Sequence, residues 1–187
     1  MSNRGIMLTG LSLIIAIAGV AVGVFSFISL NNYINDMNTY INEKNSYVPP
    51  MARVYYDGLI YSIPSGSFVT FNYTQKSYDN RDAFNLTSDS YKVPGSGFYQ
   101  VIAQCSIDAN DGDFFIIQLH RNGVLFCSRS CTSSVNTNTF GVALTDIINF
   151  EEGDSLTIKL YQYNPGNNPK NIFDGEAHTF FAIAKIT

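Results

Sequence analysis

Basic residues are few: the 187-residue chain carries 11 Lys and Arg against 15 Asp and Glu, for a formal net charge of −4 and a pI near 5.0. A nucleic-acid binder neutralises phosphates with a basic face, and this balance does not supply one. Histidine is scarcer still, with only His120 and His178. Neither has metal-ligand spacing or a nucleophile motif beside it. The chain also lacks a Gly-x-Ser-x-Gly elbow and a phosphate-cradling glycine loop, so its residues point to no enzyme. His120 reads instead as the end of a strand beside the Asn122-Gly123 turn.

Cysteine is sparse and odd in number. Of Cys105, Cys127 and Cys131, at most two can form a bridge within the chain, which excludes a disulfide framework. On one continuous strand Cys127 and Cys131 would lie about 13 Å apart, beyond bonding reach. The plain expectation for all three is a small buried side chain.

Charge is absent altogether from residues 6–30, a run of Ile, Leu, Val, Ala, Gly and Phe with a few hydroxyls. As a helix it would extend about 37 Å, enough to cross a hydrocarbon core of about 30 Å with some tilt. The alternative, a cleaved signal peptide, usually has an apolar core of only about 7–15 residues followed by small side chains. This run is longer and ends in Phe25, Phe27 and Ile28. Residues 6–30 are therefore expected to be a transmembrane helix in contact with membrane lipid. Arg4 in residues 1–5 marks the cytoplasmic side, and the C-terminal domain is expected to be extracellular on a single-pass cell-membrane protein. Gly19 and Gly23 form a small-xxx-small pair through which two such helices can pack closely.

Residues 31–50 read as a helical stalk or linker. Phe27, Leu30, Ile34, Met37 and Ile41 alternate three and four apart, the spacing of a coiled-coil seam, with Asn and Asp on the outer positions. A polar helix cannot bury one narrow apolar stripe alone, so self-association follows, although the many Asn residues also suit a frayed linker. Pro49-Pro50 ends any helix.

Residues 51–187 alternate apolar and polar positions in short runs between turn signals, the pattern of an antiparallel sandwich. Strands are expected over 52–56, 67–73, 90–93, 98–107, 114–120, 124–130, 139–150, 155–163 and 178–186. In the fourth, Tyr99, Val101, Ala103, Cys105 and Ile107 form the core side. Asn122-Gly123 signals a type I′ hairpin, since both residues tolerate positive φ, and residues 151–154 make a second tight connection.

The order of features then resembles a known family. Ala52-Arg53-Val54 is followed by Val69-Thr70-Phe71-Asn72, Tyr78-Asp79, Tyr91-Lys92-Val93-Pro94 and Gly95-Ser96-Gly97-Phe98-Tyr99. Next come Arg121-Asn122-Gly123, Gly141-Val142-Ala143-Leu144, Glu152-Gly153-Asp154-Ser155-Leu156 and Phe173-Asp174-Gly175. Taken in this order they resemble the globular head of complement in the C1q/tumour-necrosis-factor-like superfamily. The resemblance implies an all-β, ten-stranded antiparallel jelly roll that assembles as a homotrimer and works by recognition, with Phe173 plugging one end of the sandwich. A single span before a trimeric jelly roll is also similar to the tumour-necrosis-factor ligands. The tail after Gly175 is longer than that family usually shows, and no collagen-like repeat precedes the domain.

Three features are candidate sites. Asp108, Asn110, Asp111 and Asp113 cluster hard oxygen ligands around Gly112, and some relatives in the resembled family hold calcium near the trimer apex; the plainer reading is a solvated acidic turn. No other cofactor is indicated. Asn72 and Asn85 each open an Asn-x-Thr glycosylation sequon, with Asn72 expected in a strand and Asn85 in a loop. Residues 161–173, rich in Asn, Pro and Gly, read as a long exposed loop.

The expected function is a membrane-anchored recognition or adhesion protein whose head binds an extracellular protein or glycan. Two alternatives remain at this point. Arg4-Gly5 before an apolar helix is similar to the processing site of archaeal pilin precursors, which would make the chain a filament subunit. A viral spike or fibre head is the other.

Overall fold

The computed structural model describes residues 28–42, 47–59, 61–135 and 137–186. The chain divides into two compact units, residues 1–48 and 49–187.

In the first unit residues 28–42 form a helix, α1. The 3.6-residue period places Leu30, Ile34, Met37 and Ile41 on one face, where they are 41–57% exposed. Tyr33 and Tyr40 flank that stripe and are also exposed. Among the described residues no helix is long and apolar enough to cross a membrane. Most of the expected span, with Gly19, Gly23 and the stripe residue Phe27, lies outside the described residues.

The second unit alternates its side chains between a core and two outer faces because strand residues point to opposite sides in turn. Its strands are β1 Met51–Tyr55, β2 Tyr61–Ile63, β3 Phe68–Thr70, β4 Gln75–Asp79, β5 Phe84–Asn85, β6 Ser90–Lys92 and β7 Gly97–Ala109. They continue with β8 Phe114–Arg121, β9 Val124–Thr132, β10 Thr137–Phe150, β11 Ser155–Tyr163, β12 Lys170–Ile172 and β13 Phe180–Lys185. One sheet runs β2-β12-β7-β13-β1-β4, with β10 on the free edge of β7. The other runs β5-β6-β11-β8-β9, with β3 added to β11. The ladders between these strands are antiparallel, for example β7 with β10 and β8 with β11.

The core lies between the sheets. Tyr99, Val101, Ala103, Cys105 and Ile107 of β7 are at most 2% exposed, as their alternation requires, and face Phe115, Ile117 and Leu119 of β8. Fully burying each large apolar side chain contributes about 1.5–3 kcal/mol. Rings fill the gap toward β1: Phe71 and Tyr73 lie 4.6 Å apart, Tyr73 and Phe84 5.7 Å, and Phe84 and Phe181 5.9 Å. The Tyr91 hydroxyl is buried there without a hydrogen-bond partner among the described residues. Tyr91→Phe removes that desolvated group and keeps the ring, so thermal unfolding should show a gain of about 1 kcal/mol rather than a loss.

Several expectations change. Among the described residues the sandwich has four more strands than the nine read from alternation, namely β2, β4, β5 and β12, and so exceeds the ten implied by resemblance. The strand expected over 67–73 shrinks to Phe68–Thr70, although Phe71 and Tyr73 remain buried. The segment 161–173 is not a free loop. Gln162 Nε2 donates to the Ile63 and Asn168 carbonyls at 3.1 and 2.9 Å, and Asn164 Nδ2 donates to Gln162 Oε1 at 2.9 Å. These buried amides fold the Asn-Pro-Gly stretch onto the sandwich and return the chain as β12. Phe173 is half-buried and acts through its backbone, its N–H donating to Ser106 O at 2.9 Å and its carbonyl accepting from Thr179 Oγ1 at 2.7 Å.

The hairpin between β8 and β9 has φ of 53° at Asn122 and 79° at Gly123, the left-handed pair that a type I′ turn demands. Asp154 fixes it from the next turn. Its carboxylate lies 2.7 Å from Arg121 Nη2 and accepts from Asn122 Nδ2 at 2.7 Å and from the Glu151 N–H at 2.9 Å. Burial alone would raise the Asp154 pKa; the Asn122 amide, the Glu151 N–H and Arg121 outweigh it and hold the carboxyl below its ordinary value. Because the folded value is lowered, this stabilisation is present above the ordinary carboxylate range and is lost as pH falls through the folded value.

Candidate interaction surfaces

The outward positions of the first sheet are the first candidate. Strand β13 reads Phe180-Phe181-Ala182-Ile183-Ala184-Lys185, apolar on both faces up to its terminal lysine. A strand without polar alternation is one whose two faces are both meant to be covered. Phe181 and Ile183 face the core, while the register sets Ala182 between Arg53 and Ile102, and Ala184 between Met51 and Gln100. On the adjoining β10, Thr145 stands opposite Ile102 and Ile147 opposite Gln100. Ile147 is 59% exposed and Phe98 48%. These rows enclose a hollow of about 190 Å³ bordered by Arg53, Tyr78, Gln100, Ile102 and Ala182. The Arg53 guanidinium lies over the Phe180 ring at 3.9 Å and pairs with Glu176 at 3.3 Å, so its charge is answered within the sandwich. On the second sheet, the start of its edge strand β9 carries three consecutive exposed apolar side chains, Val124, Leu125 and Phe126. Sequence reasoning placed no site on the outer face of the first sheet, although the unbroken apolar run of β13 was its signal.

The acidic loop between β7 and β8 is built differently from a calcium cage. Asp113 is buried, with Oδ2 2.6 Å from Lys170 Nζ and 2.7 Å from the Asn110 N–H that donates to it. Asp108, at the end of β7, accepts from the Asn171 N–H at 3.0 Å. Asp111 is exposed, and Gly112, at φ 84°, closes the turn by donating to Ser133 O at 2.8 Å. Asp108, Asn110, Asp111 and Asp113 do not fit a calcium site, since lysine already neutralises the buried carboxylate. Among the described residues no group of three or more His, Cys, Asp or Glu is placed to hold a metal.

Both sequon asparagines are exposed, but their settings are exchanged relative to expectation. Asn72 follows β3 outside any strand. Asn85 belongs to β5, and its Oδ1 accepts from the Thr87 and Ser88 N–H groups at 2.8 and 3.2 Å, an Asx turn that sequence alternation does not reveal.

His120 bridges Gln118 Oε1 at 3.0 Å and Gly123 O at 3.2 Å beside the hairpin. Cys105 is in the core, its thiol pushed up to about 12 by burial. Cys127 and Cys131 are free on the single strand β9 and half-buried, where the expectation was burial, and their partial burial raises both thiols as well. A groove of about 620 Å³ runs past Arg81, Asp82, Asn85, Lys92, Val93 and Glu152, with charges of both signs along it.

No protein-family model matches the chain, and no curated protein matches it in sequence. Solved structures do. The globular domain of zebrafish complement 1qA protein is 13% identical with a TM-score of 0.54, over 74% of this chain and 98% of that one. Eiger TNF from S. frugiperda is 12% identical with a TM-score of 0.58, over 75% and 94%. Murine APRIL at pH 5.0 is 11% identical with a TM-score of 0.55, over 74% and 100%. The sandwich is thus a jelly roll of the C1q and tumour-necrosis-factor type.

Proposed function

We propose that the protein is a membrane-anchored homotrimer whose jelly-roll heads recognise an extracellular protein or glycan. One observation carries the reading: Phe180 to Ala184 of β13 are apolar on both faces, and the outward Ala182 and Ala184 lie in rows with Ile102 of β7 and Ile147 of β10. Burying it against a second copy removes apolar area from water, and a closed ring of three satisfies each copy equally. The exposed stripe Leu30, Ile34, Met37 and Ile41 on α1 supports the same association, because a coiled coil would cover it. Three heads on one stalk multiply weak contacts into avidity. The uncharged residues 6–30 would supply the anchor and place the head outside the cell.

Protease treatment of intact cells expressing the chain with a C-terminal tag tests the topology. Loss of the tag while the N-terminus stays with a carbonate-resistant membrane fraction is the expected result; a fully protected tag contradicts it.

A further inference from the structure

The second sheet presents aromatic rings rather than small side chains at one end of its outer face. The register sets Phe68 of β3 beside Tyr161 of β11 and Tyr161 beside Ile116 of β8; in the next row Tyr163 lies beside Phe114. The Phe68 and Tyr161 ring centroids are 5.0 Å apart with planes inclined at 38°, and Phe114 is 6.4 Å from Tyr161. Phe68 is 45% and Tyr163 51% exposed. Strand β9 extends both rows with hydroxyls, Ser130 opposite Ile116 and Thr132 opposite Phe114. On the other side of the Phe68–Tyr161 row stand Thr70, Lys159, Gln118 and Ser128, and Lys159 is the one charged side chain in the three rows.

This chemistry narrows the occupant. A phosphate, an acidic peptide or a sulfated glycan calls for several cations, and the face offers one. Four rings at about half of the 150–250 Å² that each can bury give roughly 400 Å², well short of the about 800 Å² per partner in a stable protein interface. Rings with neutral hydroxyl and amide neighbours suit a ligand that is itself apolar on its C–H faces and hydroxylated at its edges.

We propose that the outer face of the second sheet binds a neutral glycan, with pyranose rings packed on Phe68, Tyr161 and Tyr163 and hydroxyls paired with Gln118, Ser130 and Thr132. The site deepens the recognition reading above and rests on it for the head's role. It occupies the sheet opposite the self-association face, so three copies would be presented by each assembly.

Affinity electrophoresis of the full chain, solubilised in a polyoxyethylene detergent without a sugar headgroup, tests it. The gels contain hydroxyethylcellulose, dextran or yeast mannan, with heparin as the anionic comparison. At least one neutral polymer should retard the wild-type protein, F68A and Y161A should weaken that retardation tenfold or more, and Y161F should stay within a few-fold of wild type. Each variant should keep the wild-type mass and a cooperative thermal transition, lowered in F68A and Y161A by the lost ring contacts but well above the assay temperature. No retardation by the three neutral polymers, retardation by heparin alone, unchanged binding in F68A and Y161A, or a loss of binding that accompanies loss of assembly overturns the proposal. A wild-type monomer that is still retarded, and is released by Y161A, would sink the trimer and leave the glycan site standing.

Discussion

Lys170→Met should destabilise the sandwich by about 3–5 kcal/mol, the usual cost of stranding one member of a buried ion pair. The two side chains are 7% and 2% exposed at Lys170 and Asp113, and their atoms are 2.6 Å apart. Removing the ammonium leaves the Asp113 carboxylate with the Asn110 N–H but without a counter-charge. Asp113→Asn alone should cost a similar amount by stranding the lysine. The double variant Lys170→Met/Asp113→Asn should recover most of the loss, because neither charge then has to be taken from water. Urea unfolding of the four proteins measures the cycle. Single-variant losses below about 1 kcal/mol would show that the pair does not tie the β7–β8 loop to β12.

The second large effect concerns assembly. If the proposed trimer forms, Ile102→Glu combined with Ile147→Glu should convert it to monomers, since three closely packed copies would bury six carboxylates at several kcal/mol each. Both positions point away from the sandwich core, at the outward register of β7 and β10. The monomer should therefore keep its circular dichroism and its thermal transition within a few degrees. Sedimentation velocity separates the outcomes, and a double variant that still sediments as a trimer would move the interface elsewhere.

The fold was legible where alternation was long. Residues 97–109 announce themselves because Tyr99, Val101, Ala103, Cys105 and Ile107 share one side, and Asn122-Gly123 announces its turn through the φ values it permits. Strands β2, β5 and β12 are two or three residues long, too short for a period of two to register. They owe their existence to tertiary partners such as the Gln162 amide and the Ile172 pairing with Ile107. The acidic loop was visible as composition, yet its partner Lys170 is 57 positions beyond Asp113 in the chain, and no local pattern links the two. The interaction faces were half-legible: the run Phe180 to Ala184 signals coverage on both sides, while the ring cluster of Phe68, Phe114 and Tyr161 is assembled from three strands and exists only in register.

Association through the outer face of the first sheet is what every copy of the head is proposed to share. Sedimentation equilibrium of the detergent-solubilised full chain, with the detergent density-matched, measures it without any variant. A protein mass of three times the 20.7 kDa chain is the result expected, and a mass equal to one chain across the accessible concentration range would contradict it.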